Sequence, residues 1–287
     1  MESQRHARGI VLVTAATVLW STAGLFVRAL DLDVWTIQAW RSLFGALALV
    51  AIVFIQHGSR TPAVFRSIGR AGLAAVPVSA ISMLAYIAAL ELTTVANVMV
   101  VYATVPFVAA GIAFVWIGER PARNTLVASA IALLGISVMA GSATRAGDVA
   151  GNALSLLMTA SFSVLLVMVR RHPSLPMAPI NALGAALCAI LCWPLMPAGV
   201  PGAVDLAILA LFGLTTMGIG YLLFLAGGRL IPSSEAGLIG LLDVILGPLW
   251  VWLAFGEQPG EAALTGGGIV FSAVLWYLAG ARRNRVC

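Results

Sequence analysis

Ten stretches of this chain are apolar over long, almost unbroken runs. They cover approximately 9–28, 34–56, 71–90, 95–117, 123–141, 150–170, 178–196, 205–228, 234–255 and 262–281. A helix needs about 20 mainly apolar residues to cross the hydrocarbon core of a bilayer, and each stretch is close to that length. The pattern predicts an all-α membrane protein of ten transmembrane helices. The connections are short, so consecutive spans run antiparallel, and none is long enough to hold a soluble domain.

The pattern also repeats. Glu91 to Gly141 reads as an apolar span, a charged elbow (Gly118, Glu119, Arg120, Pro121) and a second apolar span. Ser233 to Gly280 has the same order around Gly256, Glu257, Gln258 and Pro259. A shift of 138 places Glu119 on Glu257 and Pro121 on Pro259, so both elbows read Gly-Glu-x-Pro. Near the start, a shift of 142 places Gly9 on Gly151, Thr17 on Thr159, Trp20 on Phe162, Ser21 on Ser163 and Arg28 on Arg170. Internal duplication is the expectation, with one five-helix repeat over 1–146 and a second over 147–287. Five is odd, so the second repeat enters the membrane from the opposite side. Inverted repeats of this kind underlie alternating access in many secondary transporters.

Composition agrees with lipid as the main solvent. Hydrophobic residues are 61% of the chain and charged residues 9%, against roughly 25% charged in soluble domains; the mean hydropathy is +1.03. All 16 basic residues are Arg, and the net charge is +5. The arginines are scattered one to three per connection with no basic face, which argues against nucleic acid as a partner. They serve better as topology signals. With a cytoplasmic N-terminus, the inner segments hold Arg5, Arg8, Arg60, Arg66, Arg70, Arg120, Arg123, Arg170, Arg171, Arg229, Arg282, Arg283 and Arg285. The outer connections hold Arg28 and Arg145 alone. Both termini are therefore expected in the cytoplasm. The N-terminal apolar run is too long for a cleaved signal peptide, contains Trp20 and shows no small-x-small site, so it reads as the first span.

Two five-helix repeats, the Trp20-Ser21 pair in the first span and the two Gly-Glu-x-Pro elbows resemble the drug/metabolite transporter superfamily, more narrowly its EamA-domain family. Within it the chain most resembles the YddG-type amino-acid exporters. The resemblance covers nearly the whole chain. It implies a multi-pass protein of the bacterial inner membrane that works as a monomer without a cofactor. The implied path runs through a cavity lined chiefly by the first, third, fourth, sixth, eighth and ninth spans.

Polar groups inside a bilayer are costly and turn toward protein or water, so polar stripes at helical spacing are candidates for the path. The first span offers Thr17, Trp20 and Ser21; the third offers Ser79, Ser82, Met83 and Tyr86; the fourth offers Asn97 and Tyr102. The sixth offers Thr159, Phe162 and Ser163, and the eighth offers Met217, Tyr221 and Phe224. A shift of 138 puts Ser79, Met83 and Tyr86 on Met217, Tyr221 and Phe224. Any single Ser or Thr also fits plain helix packing.

Two ionisable residues fall within spans. Arg41, near the start of the second, is placed to snorkel to the headgroups. Asp243, in the middle of the ninth and upstream of Gly247-Pro248, costs about 2.5–3.5 kcal/mol if unpaired; it faces a substrate or water, or it hydrogen-bonds near the proline kink. Glu235 matches Asn97 under the 138 shift and is expected at the cytoplasmic boundary. Pro106 and Pro248 are expected to break the ladders of the fourth and ninth spans. Gly135 and Gly266, Gly267 and Gly268 read as close-packing positions in peripheral fifth and tenth spans. Cys188 and Cys192 are four apart without a nearby intramembrane His, so they read as small apolar fillers and the chain is expected to hold no metal.

The three histidines, His6, His57 and His172, lie in connections or the tail, and no Cys-His, Ser-His or paired-His set falls within a span; the pattern argues against an enzyme. No phosphate-binding loop of the Walker type is present. The combined expectation is a secondary exporter or facilitator of amino acids, aromatic ones included, and similar small metabolites. A multidrug or cationic-compound exporter of the same superfamily is the alternative, although the first span lacks the acid that the small four-helix drug pumps use. A membrane scaffold or sensor is the alternative outside transport.

Overall fold

The structure, a computed structural model, describes residues 2–118, 123–141, 146–231, 239–240 and 242–286. Glu119, Arg120 and Pro121 of the first elbow, together with Arg145, Glu235 and Cys287, lie outside the described residues. Every regular element among the described residues is helical.

Helices stand where the apolar runs predict them. Six are long and apolar enough to cross a membrane, or seven if the bent pair Val95–Tyr102 and Val105–Ile117 is one span. Shorter apolar helices, Leu126–Val138, Leu242–Phe255 and Glu261–Trp276, lie in the fifth, ninth and tenth predicted spans. Large apolar side chains point outward without cover, Ile55 at 80% exposure and Val115 at 85%. Such a surface is stable only against lipid, which makes this a multi-pass membrane protein.

Three spans are irregular. The first breaks at Thr22, between Glu2–Ser21 and Ala23–Ala29. The fourth bends by 40° between Tyr102 and Val105. The break lies upstream of Pro106, which occupies the first turn of the following helix, where its missing N–H costs nothing. Pro248 sits inside the continuous helix Leu242–Phe255 and does not end it. The eighth span contains a π-helical segment, Gly213–Ile219, between Ala203–Phe212 and Gly220–Gly228.

The two halves interlock reciprocally. Glu2–Ser21 packs on Gly220–Gly228, and its repeat counterpart Ala146–Arg171 packs on Gly69–Leu92, the counterpart of the eighth span. Val34–His57 packs on the π segment as Met177–Cys192 packs on Gly69–Leu92. Arg123–Gly141 pairs with Glu261–Val286, and Val95–Tyr102 with Leu242–Phe255. The matched glycines sit at matched contacts. A Cβ on Gly9 would come within 2.8 Å of Leu230 Cβ, and one on Gly151 within 2.7 Å of Thr93 Cβ.

The elbows show the same correspondence at the backbone. Gly118 (φ 75°) and Gly256 (φ 68°) are both left-handed. Each terminates its helix by donating to a carbonyl four residues back, Gly118 to Phe114 at 3.2 Å and Gly256 to Trp252 at 2.9 Å. This is the helix C-terminus that glycine favours, and it explains the first residue of Gly-Glu-x-Pro. Gly135 is a close contact as expected, since a Cβ there would lie 2.6 Å from the Gly266 carbonyl oxygen. Gly267 meets Val100, whereas Gly268 faces open space and packs on nothing.

Candidate functional site

A cavity of about 390 Å³ lies between the two halves. The third span contributes Ser79, Ser82, Met83 and Tyr86. These positions follow the i, i+3, i+4, i+7 pattern, which places them on one helix face. The eighth span contributes Thr216, Met217, Tyr221 and Phe224, so the repeat-matched faces of both halves meet in one space. Ser79 donates to Asn181 Oδ1 at 3.0 Å, and Ser82 to the Met158 carbonyl at 3.4 Å.

Aromatic rings form much of the wall. The Trp20 indole donates to the Thr216 carbonyl at 2.7 Å, within the π-helical turn, and its ring lies 5.0 Å from that of Phe224. A π turn departs from the regular i→i−4 ladder, and the indole bond ties this turn to the first span. Across the cavity, Tyr102 and Phe162 lie 5.9 Å apart at 47°.

Among the described residues two charged side chains line the cavity, one from each half: Arg41 and Asp243. Arg41 does not snorkel. It begins about two turns into Val34–His57, on the face turned to the eighth span, and is 5% exposed. Its guanidinium stands 4.5 Å above the Phe212 ring, and its Nε and Nη1 have no hydrogen-bond partner. Asp243 is 8% exposed, and its Oδ1 is likewise without a partner.

Eleven of the sixteen residues singled out from the sequence thus surround one space: Trp20, Tyr102, Phe162 and Asp243 beside the seven on the third and eighth spans. Thr17, Ser21, Asn97, Thr159 and Ser163 do not line it. Thr17 is fully buried and bonds back to the Val13 carbonyl. Ser21 bonds back to Val18 and accepts from the Trp250 indole at 2.9 Å. Thr159 is fully buried. Ser163 donates to the Thr159 carbonyl at 2.7 Å and reaches the Val105 carbonyl, at the break in the fourth span, at 3.4 Å. Asn97 belongs to a polar cluster at the end of the bundle, where it donates to Thr93 Oγ1, which donates to Asp148.

The cavity also takes in residues the polar stripes missed: Arg41, Asn181, Met99, Met158 and Thr216. Arg41 and Asn181 carried a usable signal, since each is a strongly polar group deep within an apolar span. The second and seventh spans align through Gly45 and Gly184. Gly45 packs on Met217, and Gly184 on its repeat match Ser79. Cys188 and Cys192 are buried with Ala39 and Ala80, and Cys188 accepts from Gln38 at 2.8 Å. Among the described residues no three His, Cys, Asp or Glu converge on a metal position.

The profile of the EamA-like transporter family matches twice, over residues 7–141 and 148–279. No curated protein matches the sequence. Twenty-one solved chains match. One of them, titled only "Crystal structure of protein", is 19% identical with a TM-score of 0.68 over 96% of this chain and 98% of its own. That likeness shows a shared fold.

Proposed function

The chain belongs to the EamA-like transporter family, and from that membership we propose that it is a secondary transporter moving amino acids, aromatic ones included, and similar small metabolites by alternating access without ATP hydrolysis. The observation that carries this reading is the central cavity, which both halves line with repeat-matched faces. Its volume of about 390 Å³ falls in the range of small-ligand sites, roughly 300–1,000 Å³. Its wall combines Trp20, Tyr86, Tyr102, Phe162, Tyr221 and Phe224 with a few hydroxyls, an amide and one charge of each sign. Stacking surfaces and adaptable hydroxyls discriminate weakly among side chains, so the site accepts several amino acids at modest affinity.

Alternating access follows from two inverted repeats around one site. We place ten crossings in a bacterial inner membrane, with the halves dividing near residue 146 and both termini cytoplasmic. We take the monomer as the functional unit, a reading supported by a cavity whose described lining comes from one chain. The test is uptake into liposomes containing the purified protein, using a panel of amino acids with and without a pH gradient. Movement of several amino acids down their gradients supports the reading. Asp243 among aromatic rings also suits an organic cation, so liposomes that move a lipophilic cation and no amino acid would replace this reading with the drug-exporter one.

A further inference from the structure

Arg41 and Asp243 are unusual among the charged residues of this chain. Both are more than nine-tenths buried, both line the cavity, and both have polar atoms without a partner. No direct ion pair joins them, whereas the pair Arg28–Glu257 elsewhere closes to 2.7 Å. Among the described residues the cavity holds no other Arg, Asp or Glu. A buried charge without a counter-charge is strongly unfavourable, and the ring of Phe212 offsets only part of that for Arg41. The cavity is therefore neutral overall but has a positive and a negative pole.

We propose that Arg41 and Asp243 are the two poles of a zwitterion site, Arg41 receiving the carboxylate of the substrate and Asp243 its ammonium group. The proposal rests on the cavity being the transport site for amino-acid-like substrates and adds what that reading leaves open, the requirement for both charges on one ligand. An amine without a carboxylate satisfies Asp243 and leaves Arg41 facing a cation. A carboxylate without an amine does the reverse. A zwitterion satisfies both, through charge-assisted hydrogen bonds to the free guanidinium nitrogens and carboxylate oxygen. Tyr86 lines the same cavity, and its phenol can donate or accept. The aromatic wall formed by Trp20, Phe162 and Phe224 receives the side chain.

The test uses the full chain in liposomes and three probes: phenylalanine, phenethylamine, which lacks the carboxylate, and 3-phenylpropionate, which lacks the amine. Wild-type protein should move phenylalanine, and neither analogue should compete well. Arg41→Gln should raise the half-saturation concentration for phenylalanine by about tenfold or more, a change equal to one lost charge-assisted contact, and erase the preference over phenethylamine. Asp243→Asn should erase the preference over 3-phenylpropionate. If Arg41→Gln fails to insert, Arg41→Lys keeps the charge without the planar fork. It should weaken phenylalanine transport yet retain the preference over phenethylamine. Unchanged half-saturation and preference in these Arg41 variants, with wild-type protein active on phenylalanine, overturns the two-pole site and leaves the transport reading standing. Wild-type liposomes that move none of the three overturn the transport reading itself, and the two-pole site with it.

Discussion

Arg28 and Glu257 join the end of the first span to the second Gly-Glu-x-Pro elbow through a 2.7 Å contact between Nε and Oε2. Neither side chain spends itself on the other alone. Arg28 also donates to the Leu90 and Thr93 carbonyls at 2.6 and 2.8 Å, at the C-terminus of Gly69–Leu92, where a cation is favoured by the helix dipole. Glu257 Oε1 accepts the Val95 N–H at 3.1 Å, at the N-terminus of the fourth span, where an anion is favoured for the same reason. One ion pair thus fastens four segments at one end of the bundle. Arg28→Ala is expected to destabilise the protein by about 1–3 kcal/mol, because it leaves several partly buried groups unpaired. The exchange Arg28→Glu with Glu257→Arg should not restore stability. A glutamate cannot donate to the two carbonyls, and an arginine cannot accept the Val95 N–H. Thermal melts in detergent would decide; full recovery in the exchanged protein would mean that charge attraction alone holds the corner.

The elbow glycines give a cleaner backbone measurement. A Cβ on Gly118 or on Gly256 would meet nothing within 4 Å, so substitution there adds strain without a clash. Both have positive φ, and an L-residue in that region costs roughly 1–2 kcal/mol. Gly118→Ala and Gly256→Ala should therefore each lower stability by about that amount, and by similar amounts, since the two turns are repeat copies. A loss at one elbow only, measured by thermal unfolding, would show that the copies have diverged in conformation.

These elbows were legible in the sequence because their signal is local: a glycine ends a helix where no other residue fits. The apolar spans and their duplication were legible for a similar reason, since the bilayer imposes its length on each helix separately. What the sequence hid depended on which way a helix faces. In the second span Gln38, Arg41 and Ser42 fall on one helix face and are all buried, a stripe that pointed Arg41 to the interior, although its place near the start of the span suggested the headgroups. Ser21 looked identical to a path residue until Trp250, 229 positions away, was found donating to it. The break in the fourth span was legible too: Pro106 has no N–H to give the Tyr102 carbonyl, and the helix ends at Tyr102. The π segment in the eighth span had no sequence signal that we recognise.

Cavity and packing positions should separate when larger side chains are introduced. Ser82 lines the cavity, so Ser82→Trp should block transport while insertion and melting temperature stay near those of the parent. Ser163 is fully buried against the Val105 carbonyl, and Gly135 lies against the Gly266 backbone. Ser163→Trp and Gly135→Val should instead lower stability by about 1–3 kcal/mol or more, the usual result of overpacking. Yield, melting temperature and liposome uptake measured on all three would test the division. Normal uptake by Ser82→Trp would remove the third span from the path.

The proposed inverted arrangement predicts a sidedness that can be measured without a substrate. The second elbow follows the ninth span and the connection containing Ser67 follows the second, so ten crossings with a cytoplasmic N-terminus put them on opposite sides. Gln258 and Ser67 are both exposed in the structure. In a chain lacking Cys287, with the buried Cys188 and Cys192 replaced by Ala, Gln258→Cys should react with a membrane-impermeant thiol reagent added to intact cells. Ser67→Cys should react only after the cells are opened. The arginine distribution supplies the physical reason, because Arg60, Arg66 and Arg70 surround Ser67 whereas no basic residue lies between Arg229 and Arg282. A reporter active only outside the cytoplasm, fused after Arg285, should be silent in the same cells. Labelling of Ser67→Cys from outside would reverse the orientation, and an active reporter together with an outward Gln258 would leave an odd number of crossings, which two five-helix repeats cannot produce.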